Sequence, residues 1–392
     1  MTDARLDRDA LVALDAAIRA ESVSAGIQQA VWAVATGHDV HVGSAGAPRD
    51  TIFRISSMTK PVTATAAMSF VEDGTFALDD PIDRWLPELS DRQVLRDPYG
   101  DLADTVPAMR PITVEDLLTF RLGWGMDFDF SRPQPVLEAF AKLGLGSGPP
   151  EPQVPPDAEE WVRRIATLPL SYQPGERWLY HVGADVLGVL LARAAGAPLS
   201  IVLRERIFEP LGMVDTGFAV PADQLHRFGP CQGTNPETGE RFTFDEPDGQ
   251  WSHPPAFPSG GAGLVSTVDD FLAFARMLAN GGTHGDCTVL SATTVQAMTT
   301  NRLTDSQLAA SAPDPSGTNG WGYGMGVRVA DDGSPEGIGT YGWGGGLGSV
   351  WGTDPTGDLT WILLTSQMWT SPQHPPIIDA VRRGAYAAAG NP

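Results

Sequence analysis

The chain is poor in cysteine, lysine and basic residues in general. Its two cysteines, Cys231 and Cys287, are too few for a disulfide framework and lack the spacing of metal ligands. With 26 lysine and arginine residues against 48 aspartate and glutamate residues, the net charge is −22. A surface so acidic repels phosphate backbones and anionic headgroups, so nucleic acids and membrane surfaces are poor partners.

Long apolar runs are also missing. No segment approaches the roughly 20 apolar residues that a membrane-spanning helix needs. Residues 1–8 alternate in charge and contain no apolar core of the kind found in secretory signals. The chain has 392 residues, 42% of them hydrophobic, which is enough for a large core and for two domains sharing an interface. We therefore expect a globular protein located in the cytoplasm.

Apolar patterns concentrate the expected strands near the two ends of the chain. They predict strands at 30–36, 40–42, 52–55, 349–352 and 360–365. Amphipathic spacing predicts helices nearby, at 8–20, 60–72 and 377–386. The prediction is an α+β fold whose antiparallel sheet domain, flanked by helices, is formed by residues 1–78 together with 259–392.

The middle of the chain has a different pattern. Residues 79–258 are predicted to form an inserted, mainly helical domain with long loops rich in proline and glycine. Its predicted helices span 114–120, 158–166, 182–193 and 200–208.

A Ser-x-x-Lys tetrad, Ser57 to Lys60, stands where a predicted strand gives way to a helix. Residues three apart share a helix face, so the Ser57 hydroxyl and the Lys60 amine can meet. A lysine kept neutral by burial can accept the serine proton and create a covalent nucleophile without histidine. Lys60 is one of only two lysines, the other being Lys142. Taken alone, the tetrad also fits a serine helix cap followed by a surface lysine.

Tyr180 stands at the entrance of the predicted helix 182–193. A phenol beside an ammonium group can ionise or relay a proton, although a half-buried structural aromatic is the alternative. The neighbouring His181 shares a helix face with Asp185. Two such residues without further ligands predict a surface pair rather than a metal site.

The run from Trp343 to Gly348 places consecutive glycines before a predicted strand. Glycines allow a backbone to approach a ligand closely, and a free N–H there can join that of Ser57 in an oxyanion hole. A flexible hairpin is the alternative. Competing motifs are missing, because the sequence has no Gly-x-Ser-x-Gly elbow and no phosphate-binding loop.

The order and spacing of these segments resemble the serine β-lactamase and penicillin-binding-protein superfamily, and within it class C β-lactamases and family VIII carboxylesterases. The similar segments are 53–61, 78–87, 113–123, 174–188, 210–213, 259–282 and 321–327. The resemblance implies a β-lactamase-like fold with Ser57 as nucleophile and with Lys60 and Tyr180 sharing general-base work. It also implies an oxyanion hole formed by the backbone N–H groups of Ser57 and Gly346. No metal or organic cofactor is implied.

Two departures from the lactamases point to the esterase branch. Trp343 stands where they have a lysine or histidine that binds the substrate carboxylate, and Val182 replaces the asparagine of their Tyr-x-Asn motif. Residues 120–123 replace their usual His-Thr-Ser-Gly, so the pocket wall is expected to differ. The residues expected to line the pocket are Trp343, Gly344, Gly345, Trp124, Met126 and Val182.

The resemblance therefore implies a carboxylesterase that acts on small-molecule esters with short acyl chains. The alternatives are a weak β-lactamase, a D-amino-acid peptidase or amidase, and a catalytically silent relative that only binds ligands. The physiological ester, its stereochemistry, the oligomeric state and the role of His181 stay open.

Overall fold

The computed structural model of the chain describes residues 5–37, 39–146, 148–311, 317–369 and 374–390. Within these ranges the strands are Ala30–Thr36 (β1), Asp39–Ala45 (β2), Phe53–Arg54 (β3), Gln93–Leu95 (β4), Thr105–Pro107 (β5), Cys231–Thr234 (β6), Arg241–Asp245 (β7), Val265–Ser266 (β8), Thr283–His284 (β9), Cys287–Thr288 (β10), Asn319–Trp321 (β11), Gly326–Arg328 (β12), Tyr341–Gly345 (β13), Ser349–Asp354 (β14) and Leu359–Thr365 (β15).

The helices of the same ranges are Arg8–Ala25 (α1), Thr59–Glu72 (α2), Val114–Leu118 (α3), Pro135–Lys142 (α4), Ala158–Ile165 (α5), Val182–Ala195 (α6), Leu199–Leu203 (α7), Glu209–Leu211 (α8), Val268–Ala279 (α9), Ala292–Met298 (α10), Asp305–Ser311 (α11) and Pro376–Ala388 (α12). Short 3₁₀ turns occur at Ser56–Met58, Ile82–Arg84, Pro87–Leu89 and Ala222–Arg227.

In the part of the chain that the structure describes, the main sheet has seven strands in the order β11-β12-β13-β14-β15-β1-β2. Each strand is antiparallel to its neighbours. Strand β1 comes from the start of the chain and β15 from near its end, and the two pair directly, with Trp32 opposite Leu363. The predicted α+β fold, with an antiparallel sheet built from both ends of the chain, is confirmed.

Helices cover both faces of this sheet because successive side chains of a strand point to opposite sides. On one face, Trp32 and Val34 of β1 pack in a buried cluster with residues of α1 and α12. On the other face, Val31 and Ala33 belong to the large core that includes residues of α2 and α9. The second face is the one that holds α2, the helix that follows Ser57.

Between residues 79 and 258 the predicted helices are present with changed bounds. The predicted helix 114–120 ends at Leu118, and Phe120 adopts a positive φ of 57°, which a helix cannot continue. The predicted helix 200–208 is the short α7 followed by a wider turn at Arg204–Phe208. Two small sheets, β4 with β5 and β6 with β7, are also found here and were not predicted. The domain boundaries at residues 78 and 259 stay a prediction.

Among the described residues, no single helix combines the length and apolar composition needed to cross a membrane. One pair of helices bent by 83°, Val182–Ala195 with Leu199–Leu211, meets these requirements only when both are counted together. The expected absence of a secretory signal concerns residues 1–8, of which residues 1–4 lie outside the described ranges. The cytoplasmic location stays a prediction.

Candidate active site

Ser57 lies in the 3₁₀ turn Ser56–Met58, which leads directly into α2. The residue before this turn, Ile55, is held by a hydrogen bond from its N–H to the Leu264 carbonyl at 3.1 Å. Ser56 adopts a φ of 45°, a left-handed conformation that is uncommon for a residue other than glycine. The junction therefore turns the chain sharply and leaves Ser57 8% exposed at the start of the helix.

Lys60 in the first turn of α2 reaches back toward Ser57. Its Nζ lies 2.9 Å from Ser57 Oγ, 2.8 Å from the Gly261 carbonyl oxygen and 3.1 Å from Nδ1 of His181. The side chain is only 1% exposed. Burial lowers the pKa of Lys60 to about 7, although the nearby Asp185 carboxylate acts in the opposite direction. A large fraction of this lysine is therefore neutral at physiological pH and able to accept a proton.

Tyr180 is fixed beside these two residues by its backbone and by its hydroxyl. The N–H groups of Tyr180 and Met126 each donate to the other's carbonyl, at 2.9 and 3.0 Å. Trp343 Nε1 donates to the Tyr180 hydroxyl oxygen at 2.7 Å. Lys60 Nζ lies 4.5 Å from the centroid of the Tyr180 ring. The phenol, the amine and the Ser57 hydroxyl thus share one small volume.

The titration of Tyr180 is governed by its apolar surroundings. Burial raises the pKa of Tyr180 to about 12, and hydrogen bonds with Ser57 and Trp343 act in the opposite direction. The rings that lie with centroids 5.3–6.4 Å from that of Tyr180 are Phe120, Phe128, Trp178, Trp321 and Trp343. Tyr180 is therefore a protonated phenol at neutral pH and can donate a proton. This pKa does not support the expectation that Tyr180 shares general-base work with Lys60, because that role requires the phenolate.

Strand β13 brings the glycine run to the turn that holds Ser57. A Cβ atom on Gly345 would lie 2.3 Å from the carbonyl oxygen of Ile55, so only glycine permits this approach. The Ser349 hydroxyl donates to the same carbonyl oxygen at 2.9 Å. The next residue, Gly346, is exposed, and among the described residues other than its chain neighbours no atom lies within 4 Å of its Cβ position. The backbone at Gly346 is thus open to a ligand near Ser57.

Three further residues predicted to line the pocket, Gly344, Met126 and Val182, differ in their surroundings. A Cβ atom on Gly344 would contact the ring of Trp369 at 2.6 Å, so the strand is tightly packed there. Met126 is partly exposed and contacts Tyr180 through its backbone, and Val182 is 4% exposed as the first residue of α6. Neither side chain offers a charge or a strong hydrogen-bond donor.

Trp124 does not fit its prediction. Its side chain is completely buried, and its Nε1 donates to the Pro169 carbonyl at 2.7 Å. Gly123 and Gly125 on either side both have a positive φ, of 100° and 143°, so the chain turns at both positions and the indole lies in the core. The expectation that Trp124 lines the pocket is wrong, because the ring is not accessible to a substrate.

The predicted pair of His181 and Asp185 forms, but its expected position at the surface is wrong for Asp185. Asp185 is 5% exposed, its Oδ2 lies 3.0 Å from His181 Nε2, and the other ring nitrogen of His181 faces Lys60. The spacing of four residues between His181 and Asp185, directly after Tyr180, is visible in the sequence. The φ of 84° at His181, which accompanies this placement of the ring, cannot be inferred from the sequence.

Known proteins with a similar sequence or structure cover almost the whole chain. The family model described as Beta-lactamase matches residues 14–385. Protein Rv1367c of Mycobacterium tuberculosis is 42% identical over 357 residues, covering 89% of this chain and 84% of that protein. Esterase EstB of Burkholderia gladioli is 32% identical over 363 residues, covering 88% and 84%. EstCE1, a hydrolase with promiscuous acyltransferase activity, superposes with a TM-score of 0.79 at 25% identity, covering 96% of this chain and 99% of that chain.

Proposed function

The chain belongs to the beta-lactamase family and is a serine hydrolase, and from this premise we propose that it is a carboxylesterase for esters with short acyl chains. The observation that carries the proposal is the contact of Trp343 with Tyr180, whose hydroxyl interacts with Ser57. Its indole offers no positive charge to a substrate carboxylate, and its N–H already donates to the Tyr180 hydroxyl. The similarity to Esterase EstB supports the same substrate class.

In the first step, Ser57 Oγ attacks the ester carbonyl carbon while Lys60 accepts the hydroxyl proton across 2.9 Å. A base with a pKa of about 7 is well matched to this role at neutral pH. As the new C–O bond forms, the carbonyl electron pair moves to the oxygen. Backbone N–H groups of Ser57 and Gly346 hold that oxyanion, as fixed donors do in other acyl-transfer enzymes.

In the second step, the tetrahedral intermediate collapses and the alcohol leaves. Tyr180 donates its phenolic proton to the departing oxygen and regains a proton from the Lys60 ammonium group, so that the two residues act as a pair. A phenol with a pKa of about 12 is a suitable donor to a strongly basic alkoxide. Water then attacks the acyl-enzyme while Lys60 accepts its proton. As the second tetrahedral intermediate collapses, Lys60 returns this proton to the departing Ser57 Oγ, and the carboxylic acid is released.

The walls of the site favour apolar substrates. Phe128 and Trp343, the partly exposed rings beside Tyr180, form an apolar surface, and Val182 adds aliphatic carbon where an asparagine would contact a substrate amide. A β-lactam or a D-amino-acid peptide carries a carboxylate that finds no cationic partner at Trp343. These features favour uncharged esters over both of the amide substrates.

The decisive experiment compares the wild-type protein with Ser57→Ala on p-nitrophenyl butyrate and on nitrocefin. We expect butyrate turnover that disappears in the variant and nitrocefin turnover that is very weak. Efficient nitrocefin hydrolysis would contradict the argument from Trp343. Labelling by a fluorophosphonate tests the silent alternative, since only an activated serine reacts, and an unlabelled Ser57 would overturn the proposal of an esterase.

A further inference from the structure

His181 lies between two buried titratable groups that come from different helices. Its Nδ1 is 3.1 Å from Lys60 Nζ, and its Nε2 is 3.0 Å from Asp185 Oδ2. The other titratable side chain beside it is Tyr180, with ring centroids 6.1 Å apart. Lys60 belongs to α2 and Asp185 to α6, so the imidazole connects the two helices through polar contacts at both of its nitrogens.

Asp185 determines which nitrogen of His181 carries the proton. Its Oδ1 accepts hydrogen bonds from the Gly261 N–H at 3.0 Å and from the Ser259 hydroxyl at 2.6 Å. Burial acts to raise the pKa of Asp185, but the interactions of its carboxylate with His181 and Ser259 lower the pKa overall. An ionised carboxylate can only accept, so Oδ2 requires a proton on Nε2 of His181. In the neutral imidazole, Nδ1 is then a bare acceptor.

This tautomer has a consequence for Lys60. A neutral amine has two N–H bonds and one lone pair. The Gly261 carbonyl oxygen at 2.8 Å can only accept, and the bare Nδ1 of His181 can only accept as well. Both N–H bonds are therefore used, and the lone pair is left for the third neighbour, the Ser57 hydroxyl at 2.9 Å.

We propose that His181 is a positioning residue, held in one tautomer by Asp185, that directs the lone pair of neutral Lys60 at the Ser57 hydroxyl. The inference rests on the proposed function, because it presupposes that Lys60 is the base. Its role differs from that of the catalytic pair, since His181 acts on Lys60 and takes no proton from the substrate.

The backbone at His181 is strained in a way that fits this role. With φ 84° and ψ −61°, the residue is the centre of a γ-turn that is closed by the Val182 N–H donating to the Tyr180 carbonyl at 3.2 Å. Such turns are rare and costly for residues other than glycine, and strain of this kind concentrates at functional positions. A Cβ atom on Gly261 would approach His181 Cε1 to 3.0 Å, so the facing loop closely adjoins the imidazole.

The test begins with Asp185→Asn, which keeps the shape of the side chain. The Gly261 N–H holds the amide oxygen at the Oδ1 position, so the new NH₂ group faces Nε2 of His181. The histidine must then carry its proton on Nδ1 and donate it to Lys60, which diverts the lone pair from Ser57. We expect kcat for p-nitrophenyl butyrate to fall by about 100-fold or more with KM changed less than about threefold, as in other enzymes where an aspartate sets a histidine tautomer.

A second variant separates the tautomer from structural support. Asparagine tolerates a positive φ, and its amide can rotate to present an oxygen to Lys60 whatever residue 185 is. We expect His181→Asn to keep kcat within about tenfold, and Asp185→Asn to cost less than about threefold when added to it. A purely structural role of Asp185 predicts equal losses in both backgrounds, and that result would overturn the inference.

A matched control exists on the far side of the sheet. Asp15 Oδ1 lies 2.8 Å from His41 Nε2, and Asp15 also accepts from Trp32 Nε1 at 2.9 Å. Asp15→Asn therefore makes the same change beside a histidine that has no contact with Lys60. We expect it to leave kcat unchanged.

A measurement on the unmodified enzyme keeps the inference testable if a variant fails to fold. Nitrogen-15 NMR of histidine-labelled protein distinguishes the two tautomers, and the His181 signals are assigned by their loss in His181→Asn. We expect a protonated Nε2 and a bare Nδ1 in the wild type. A protonated Nδ1 in the wild type would contradict the proposed tautomer, and normal turnover in Asp185→Asn would contradict the positioning role. Ser57→Ala is assayed alongside these variants. If Ser57→Ala retains ester hydrolysis, the proposed function is wrong. If Ser57→Ala is inactive but Asp185→Asn is fully active, only the positioning role of His181 is overturned.

Discussion

Replacing Lys60 by methionine makes the burial of its amine measurable as a change in stability. The pKa of Lys60 falls from 10.5 to about 7 on folding because burial disfavours the ammonium form. The folded protein therefore holds this proton less tightly than the unfolded chain does. As the pH falls from 10.5 to about 7, the unfolded state gains the proton first, so the wild type progressively loses stability in that window.

The size of the effect follows from the shift. From 10.5 to about 7, at roughly 1.4 kcal/mol per pKa unit, the penalty below pH 7 approaches roughly 5 kcal/mol. Between pH 6 and pH 9 the two-state linkage relation gives a change of about 2.5 kcal/mol. Methionine has a similar length and does not titrate. At any one pH, the stability that Lys60→Met gains by removing the buried amine is partly offset, because the Gly261 carbonyl and His181 Nδ1 lose their hydrogen-bond partner. The change of stability with pH is not affected by this loss.

The assay is urea unfolding of the wild type and of Lys60→Met at pH 6 and at pH 9. We expect the free energy of unfolding of the wild type to rise by about 2.5 kcal/mol relative to the variant between these two pH values. Lys142→Met is the matched control, because Lys142 is exposed at the end of α4. An identical difference between wild type and Lys60→Met at both pH values would refute the assignment of a neutral lysine to this site.

Three further predictions test Lys60 and the residues around its amine. Because only the neutral form of Lys60 accepts a proton, kcat/KM for p-nitrophenyl butyrate should fall below about pH 7, and Lys60→Arg should be inactive from pH 6 to pH 9. Trp343→Phe keeps the ring but removes the N–H that lies 2.7 Å from the Tyr180 oxygen, and we expect kcat to fall by about tenfold with KM little changed. Gly345→Ala places a carbon 2.3 Å from the Ile55 carbonyl oxygen, so β13 must move away from the turn; both kcat and the melting temperature should drop, and an unchanged kcat would contradict the close approach.

The fold was predictable where elements are long and apolar. Strands β1 and β15 and helices α2 and α6 were expected close to their observed bounds because each is a long, largely apolar segment that is buried on nearly all sides. Strands β11, β12 and β13 were not expected, since they are short and rich in glycine, which has little preference for strands. Their pairing depends on neighbouring strands and on the close approach at Gly345, neither of which leaves a local pattern.

In the candidate site, too, the local contacts were predictable and the contacts between elements were not. Ser57 and Lys60 meet as expected because their spacing of three is a property of a single helical turn. His181 could not be placed, since its contact with Lys60 crosses 121 positions of sequence and depends on a backbone conformation that histidine rarely adopts. Local spacing predicts contacts within one element, whereas orientation between elements is decided by tertiary packing.

Two costly backbone conformations occur within this one site, and each is maintained by neighbouring elements. Ser56 and His181 have positive φ values of 45° and 84°, and each such residue costs of order 1–3 kcal/mol. The first is held between the β3–β8 pair and α2, whose residues are buried from Thr59 to Phe70, and the second between the Met126–Tyr180 bridge and α6. Relaxation at either residue would lengthen the contacts that Lys60 makes with Ser57 or with His181. The stability of these surrounding elements therefore determines whether the amine is both neutral and correctly directed, so substitutions that loosen them should reduce catalysis before they unfold the chain.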